Sequence, residues 1–419
     1  MIENRIFRDG NRLVVQGHFR IADLQRPLAL LHQAVADAGY SDVVLDFSSC
    51  QAAFSGPMLA LCSQVMKLRE TAGIEFDLIP PHDAKLRRLF HNTNWSHFLA
   101  PDLNAASEFK GYTQIPATQF QTASDQNRAV NRIVNAILGA IPEIERRDFA
   151  ALEWSINEIT DNVLVHSRSP IGGLVQVSTF KTYRKIVEFI VVDAGVGIPA
   201  TLREGHPTLK TDAEALDHAI REGVTRDKSV GQGNGLFGSY QICSHSRGVF
   251  QVESGYAKLV FTERNGLHVS TEKIPLQGTL VVAQVDFSVP HLLEEALRIG
   301  GRIHTPLDFI ETHYEGRQNA IDFIIKDESK SFGSRIGGTP VRNRLSNLLN
   351  MCPGQQIRID FSDVPLISSS FADEVFGKLF NELGPMTFVQ RFEFRNVSTT
   401  VRQLIDRAIA QRMANKGTN

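Results

Sequence analysis

The sequence predicts a mixed α/β (α+β) protein in which two small α/β segments flank a different central block. Two features indicate this fold class: a pattern shared by the two ends of the chain, and strands that alternate with amphipathic helices at short spacing. The chain has 419 residues, which is enough for two to four domains. Its residues are 42% apolar, so each domain can bury a core, and the 21% charged content is that of an ordinary soluble protein.

The shared pattern begins with an Asp-Phe-Ser turn at the end of an apolar strand. The aspartates are Asp46 and Asp360, and a serine follows each one nine residues later, at Ser55 and Ser369. An amphipathic helix, a second short strand and a basic helix come next in both copies. This order is typical of small α/β units with right-handed crossovers.

Three domains follow from this pattern, and the central one differs from its neighbours. We predict them at residues 1–110, 125–288 and 318–415. The polar stretch 107–126 contains glycine, proline and several threonines and glutamines, as linkers commonly do.

Charge and composition argue against several classes of function. The chain has 44 basic and 46 acidic residues, for a formal net charge of −2, which gives no reason to expect nucleic acid or a membrane surface as a partner. Its four cysteines lie far apart without metal-ligand spacing, which indicates buried thiols in a reducing compartment. The first residues do not resemble a secretory signal, and no apolar run reaches the roughly 20 residues of a membrane-spanning helix. We expect a cytoplasmic protein.

The central block contains three short motifs in a fixed order, and the first lies on a predicted helix at residues 148–165. Glu158, Asn162 and His166 recur every four residues, so they share one face of that helix. An asparagine carbonyl oxygen can bind Mg²⁺, and a carboxylate one turn earlier can accept a proton from a hydroxyl group or water. A solvated polar stripe on an amphipathic helix is the alternative interpretation.

The second motif follows an apolar strand predicted at residues 186–192. Asp193 stands at the end of that strand, where its carboxylate can accept a hydrogen bond from the exocyclic amine of adenine. Gly195 and Gly197 allow the backbone to pass close to a flat base. A tight Asp/Gly turn, which is common in α/β proteins, is the alternative.

The third motif places Gly231, Gly233 and Gly235 at alternate positions directly before a predicted helix. Glycines there expose backbone N–H groups, and a helix N-terminus attracts phosphate. A GxGxG run also occurs in turns and linkers. Its position after the other two motifs is therefore the reason to interpret it as a phosphate-binding segment.

Taken together, the three motifs resemble the ATP-binding boxes of the GHKL fold, which is found in gyrase-type ATPases, histidine kinases and anti-sigma-factor serine kinases. The resemblance covers roughly residues 125–287 and implies ATP and Mg²⁺ as cofactors. It implies a catalytic role for Glu158, a magnesium ligand in Asn162, and nucleotide contacts from Asp193 and the glycines of the second and third motifs. Residues 200–230 correspond, by the same resemblance, to a mobile lid over ATP.

Three departures narrow the choice within that fold. The chain has no Walker loop, so it does not resemble a P-loop enzyme. No His-Glu/Asp-x-x-x-Pro phosphoacceptor box precedes the central block, which argues against a sensor histidine kinase. Glu158 at the head of the first motif favours the serine-kinase and ATPase branches.

The two flanking segments resemble the STAS fold of anti-sigma-factor antagonists, in which a serine after the second core strand is phosphorylated. By that resemblance Ser55 and Ser369 are the phosphoacceptor candidates. Phe54 replaces the aspartate that commonly precedes the first serine, and Gly56-Pro57 replaces the usual Ser-Gly pair. Each serine directly precedes a predicted helix, so helix N-capping, which contributes about 1 kcal/mol, is the alternative.

These resemblances imply an ATP-binding bacterial regulatory switch similar to anti-sigma-factor serine kinases. Its Mg²⁺–ATP pocket would drive serine phosphorylation or conformational switching through the STAS-like segments. The alternative is a slow GHKL ATPase, a nucleotide-gated clamp or a scaffold without protein-kinase activity. The expected partners are ATP and either a regulatory protein or a second copy of the chain; neither nucleic acid nor a membrane is expected.

Overall fold

The computed structural model describes residues 4–108, 114–180, 184–221, 223–224, 234–288, 296, 298–299, 302–303, 308–316, 320–329 and 331–416. Over these residues the chain is a mixed α/β protein, as the sequence predicts. It divides into two compact units, of which the first comprises Met1–Phe109, Gln114–Val130 and Trp154–His304, and the second Lys110–Thr113, Asn131–Glu153 and Thr305–Asn419. Among the helices described, none is both long and apolar enough to cross a lipid bilayer. The three domain boundaries given above remain a prediction.

The N-terminal segment of the first unit is an α/β layer built on a five-stranded sheet. Strands β1, β2, β3 and β5 form the sheet in that order, with β4 beside β2, and all pairs except β1–β2 are parallel. The elements are β1 (Arg5–Asp9), β2 (Arg12–Phe19), α1 (Gln25–His32), β3 (Asp42–Asp46), β4 (Cys50–Ala53), α2 (Ser55–Ala72), β5 (Glu75–Ile79), α3 (Ala84–Asn92) and α4 (Trp95–Leu99).

The central block has a five-stranded antiparallel sheet with the order β6-β7-β8-β10-β9. Its elements are β6 (Gln114–Phe120), α5 (Ala123–Ala140), α6 (Arg146–His166), β7 (Gly173–Phe180), β8 (Ile186–Asp193), α7 (Ile198–Gly205), α8 (Asp212–Ala219), α9 (Gly235–His245), β9 (Val249–Thr262) and β10 (Gly266–Asp286). A two-stranded ladder of β11 (Arg298–Ile299) and β12 (Arg302–Ile303) follows.

The C-terminal segment contains a three-stranded parallel sheet with the order β13-β14-β15. Its elements are α10 (Phe309–His313), β13 (Ala320–Ile324), α11 (Ile325–Glu328), α12 (Arg335–Met351), β14 (Gln356–Asp360), α13 (Ser369–Ala372), α14 (Lys378–Leu383), α15 (Pro385–Arg391), β15 (Phe392–Arg395) and α16 (Thr399–Lys416). One π-helical turn, Asp373–Gly377, joins α13 to α14.

The pattern shared by the two ends of the chain is confirmed at the level of individual hydrogen bonds. The Oδ1 atom of Asp46 accepts the N–H of Ser48 at 2.8 Å, and Oδ1 of Asp360 accepts the N–H of Ser362 at the same distance. The next backbone bond to the neighbouring strand is also shared: Phe47 N to Ile79 O at 2.9 Å, and Phe361 N to Arg395 O at 3.1 Å. Both segments therefore end their central strand in the same turn.

Helix α2 is buried between its own sheet and the central sheet. Eleven consecutive residues, Ser55 to Val65, are buried, as expected of a helix that is covered on all sides. Its apolar side chains join one hydrophobic cluster with alternate residues of the central strands, among them Leu174, Ile190, Val192 and Leu280. The N-terminal segment and the central sheet thus share a core within the first unit.

In the second unit, two asparagines of α12 bind backbone carbonyl groups at the end of α5. Asn343 Nδ2 donates to the Gly139 carbonyl at 3.1 Å, and Asn347 Nδ2 donates to the Leu138 and Ile141 carbonyls at 2.8 Å each. The last carbonyl groups of a helix have no partner within the helix, so buried ones need such donors. Both asparagines are buried.

Arg344, on the same helix, completes this buried polar contact. Its Nη1 atom donates to the Glu328 carbonyl at 2.7 Å, and its Nε atom donates to the Asn135 carbonyl at 3.1 Å. The Glu328 carboxylate lies 3.3 Å from the guanidinium and accepts a hydrogen bond from the Tyr314 hydroxyl at 2.9 Å. Burial raises the pKa of Glu328, and the charge of Arg344 opposes that rise. Each charge is thus buried with a partner, as low-dielectric surroundings require.

We predict that Asn347→Ala destabilises the second unit by about 2–3 kcal/mol, because two buried carbonyl groups lose their donor. Asn350→Ala is the matched control, since this asparagine is exposed on the same helix. Chemical unfolding followed by circular dichroism measures both variants. Equal stability of the two would show that the α12 contacts do not hold the end of α5.

Candidate functional site

Helix α6 carries the first of the three motifs. It extends from Arg146 to His166, which confirms the helix expected at residues 148–165. Glu158 and Asn162 lie one turn apart and are both half-buried. A carboxylate and a carboxamide oxygen therefore stand on one face of a rigid element.

The third motif meets α6 at Glu158. Gly235 is the first residue of α9, and a Cβ atom built on it would come 2.5 Å from Oε2 of Glu158. Next to this contact, Ser155 Oγ donates to Ser239 Oγ at 2.8 Å, and Ser239 Oγ donates to the Gly235 carbonyl at 2.8 Å. Because residue 235 is glycine, the N-terminus of α9 lies directly against the Glu158 carboxylate.

One turn further along α9, a second glycine permits the same close packing. A Cβ atom at Gly238 would overlap the indole ring of Trp154 on α6. The two helices therefore pack against each other over Trp154 to Glu158. The other two glycines of the third motif, Gly231 and Gly233, lie outside the described residues.

The second motif meets the end of α6. The N–H of Val196 donates to the Ser167 carbonyl at 2.9 Å, and a Cβ atom at Gly195 would overlap that same carbonyl oxygen. Gly197 has φ +82°, a conformation that favours glycine, and a Cβ there would come 2.8 Å from Ser254 Oγ. The described parts of the second and third motifs thus contact the first motif at two places: Gly235 lies against Glu158 on α6, and Gly195 lies against Ser167, the residue directly after α6.

Burial governs the protonation of the two carboxyl groups. It raises the pKa of Asp193 to about 7, although the Gly195 and Thr279 N–H groups and the charge of Lys67 oppose the rise. Oδ1 of Asp193 accepts the Gly195 N–H at 2.8 Å. Burial, and then the charge of Asp161, raises the pKa of Glu158. A carboxyl group with a pKa of about 7, as at Asp193, exchanges a proton more readily near neutral pH than an exposed one does.

Ser55, one of the two candidate phosphoacceptors, is buried. It is 8% exposed, and its hydroxyl accepts a hydrogen bond from Gln176 Nε2 at 3.3 Å. The Gln176 Oε1 atom in turn accepts the indole N–H of Trp95 at 2.9 Å. Ser55 is the first residue of α2, and the N-cap position is occupied by Phe54. Its hydroxyl therefore belongs to the packing between α2 and the central sheet, and the capping interpretation is wrong for this serine.

Ser369, the other candidate, is exposed at the start of α13. The cap of that helix is Ser368, whose side chain accepts the N–H of Phe371 at 3.0 Å. The capping interpretation is thus wrong for Ser369 as well, because Ser368 caps the helix.

Comparison with known protein families gives a match within the C-terminal segment. The family described as "STAS-like domain of unknown function (DUF4325)" matches residues 337–402. The C-terminal segment is STAS-like. The match confirms that this part of the chain is STAS-like, and the matched residues include Ser369. No curated protein matches the chain.

The residues that support the three motifs carry little signal in the sequence. Ser167 directly follows the first motif, so its position is the one clue to its contact with Gly195. Ser254 donates to the Gly278 carbonyl at 2.8 Å and accepts the N–H of Ile198 at 2.9 Å, yet no motif points to it. Such contacts depend on strand register, which a single sequence does not specify.

We predict that the free energy of unfolding of the wild-type protein decreases more steeply with rising pH than that of an Asp193→Asn variant. The folded-state pKa of Asp193, about 7, lies above the ordinary value of 3.8, so the folded protein binds the extra proton at intermediate pH. That contribution is complete below about pH 4 and is lost as pH rises through 7. Between pH 5 and 8 we expect the free energy of unfolding to fall by roughly 2 kcal/mol more in the wild-type protein than in the variant.

Unfolding measured at matched temperatures across this pH range tests the prediction. Other groups with raised pKa values, such as Glu153, remain in both proteins and cancel in the difference. Parallel stability curves would show that Asp193 is ionised in the folded state throughout the range.

Proposed function

We propose that the chain is a nucleotide-dependent regulatory switch whose central block binds ATP and Mg²⁺ in the manner of GHKL proteins. One observation carries the proposal: Gly235 of the third motif contacts Glu158 on α6, and Gly195 of the second motif contacts Ser167 directly after α6, although these residues are far apart in sequence. The family match covers residues 337–402 and does not reach this block, so the proposal rests on the geometry and on the motif resemblance.

The donor groups at the three motifs suit a magnesium nucleotide. The Asn162 side-chain oxygen is a hard ligand for Mg²⁺. Asp193 provides a buried acceptor for an adenine amine, and the Gly195 loop lies beside it. The N-terminus of α9 at Gly235 offers N–H groups and a favourable dipole to phosphate. Bound in this way, ATP would supply a transferable phosphoryl group.

Glu158 is the proposed general base. Its Oε2 atom lies against the start of α9, next to the place where phosphate would bind. A carboxylate there can take the proton of a serine hydroxyl or of water. Burial raises its pKa, which strengthens the carboxylate as a base.

Ser369 is the proposed acceptor in this chain. It is exposed and lies in the STAS-like segment, whereas Ser55 is buried under Gln176 and would have to leave its core position to react. A serine of a separate STAS-like partner, or of a second copy of this chain, would serve equally well as substrate. The proposed role is therefore that of a serine kinase that regulates STAS-like domains.

We predict that wild-type protein incubated with γ-labelled ATP and Mg²⁺ becomes labelled and that Glu158→Gln reduces the labelling rate by about 100-fold or more, as expected for loss of a general base. Asp161→Asn is the matched control on the same helix, because this acid is exposed and affects Glu158 only through its charge; its rate should stay within about tenfold of wild type. Ser369→Ala should abolish the label, whereas Ser370→Ala should retain it.

Nucleotide binding is measured in parallel by titration calorimetry. A wild-type protein that does not bind ATP would contradict the proposal as a whole. Binding with release of free phosphate and no label on protein, even when STAS-like substrate is added, would exclude the kinase activity and leave a slow ATPase.

A further inference from the structure

We infer that Gln64 and Lys67 of the N-terminal segment are positioning residues for the loop 193–198, and that through this loop they set the affinity of the site for nucleotide. The second clause rests on the proposed function. The first depends only on contacts within the first unit, which form a continuous chain from α2 to the second motif.

The chain of contacts begins at α2. The Gln64 side chain is 8% exposed, and its Nε2 atom donates to the Gln277 carbonyl at 2.8 Å. One turn further on, Lys67 Nζ donates to Gln277 Oε1 at 3.0 Å. Two side chains of one helix thus hold both the backbone and the side chain of a single residue on β10.

Gln277 lies in an irregular part of β10. The register with β9 shifts between Leu276 and Thr279, as it does at a β-bulge. Gly278 has φ +106°, and a Cβ atom there would overlap the Asp193 carbonyl oxygen. The bulge that α2 holds is therefore in direct contact with the backbone of Asp193, where the second motif begins.

Ser254 connects the bulge to the other end of the loop. Its hydroxyl donates to the Gly278 carbonyl at 2.8 Å and accepts the N–H of Ile198 at 2.9 Å. A Cβ atom at Gly197 would lie 2.8 Å from this hydroxyl and 3.1 Å from the Gly278 carbonyl. The bulge thus supports the loop at its first residue and its last.

The charge of Lys67 acts on the same region. It opposes the rise in the pKa of Asp193, and the charge of Asp193 in turn opposes the lowering of the Lys67 pKa that burial causes. An ammonium group held by Gln277 therefore favours the ionised form of the buried carboxylate, which is the better acceptor for an amine. Gln64 and Lys67 thus fix the position of Gln277, and Lys67 adds a positive charge near Asp193. In this way the N-terminal segment helps to position the loop 193–198.

The test compares the double variant Gln64→Ala/Lys67→Ala with Gln51→Ala/Lys85→Ala. The control removes the same two residue types from exposed positions of the same segment. The single variant Lys67→Met removes the charge but keeps the aliphatic part of the side chain, so it tests the role of Lys67 in case the double variant does not fold. Two quantities are measured for each protein: hydrogen exchange of the Val196 and Ile198 amides without nucleotide, and the dissociation constant for ATP with Mg²⁺.

We expect the double variant to exchange these two amides at least fivefold faster than the control and to bind ATP at least fivefold more weakly, with a smaller change of the same sign for Lys67→Met. Exchange rates equal to those of the control would overturn the inference, and so would faster exchange without any change in the affinity of a protein that binds ATP. If wild-type protein binds no ATP, the proposed function fails, and the exchange rates alone decide whether α2 positions the loop.

Discussion

The close approach of two glycines to helix α6 is the constraint on which the candidate site depends. Gly235 lies against the Glu158 carboxylate, and Gly195 lies against the Ser167 carbonyl just beyond the helix. A side chain at either position would push its motif away from α6 or Ser167, because a close-packed protein interior has no space for even one extra carbon atom. One helix therefore sets the relative positions of segments that are distant in sequence.

Much of the local structure could be predicted from the sequence because it follows from local periodicity. The sequence predicts a helix at residues 148–165, and α6 extends that range by two residues at its start and one at its end. The strand predicted at 186–192 is present as Ile186–Asp193. The repeated Asp-Phe-Ser turn correctly indicates two segments of similar design, because its hydrogen bonds are formed by residues two positions apart.

The partners of buried polar side chains could not be predicted, because tertiary packing chooses them. A serine before a helix has the same local pattern whether it caps the helix, faces solvent or is buried. Ser55 is buried because Gln176, 121 residues away, lies opposite it in the shared core. Ser254 likewise reaches Ile198 across 56 residues of sequence. Both contacts require knowledge of which sheet faces which helix, and a single sequence does not contain a direct signal for that.

The core that α2 shares with the central sheet has a consequence for any shortened form of the protein. A fragment that begins at β6 would lose the helix that covers one face of the sheet. Leu174, Ile190, Val192 and Leu280 would then form a continuous apolar patch in water. Patches of that kind associate with one another, so the fragment would aggregate, although it would retain all three motifs. We therefore expect a soluble fragment that carries the candidate site to include the N-terminal segment.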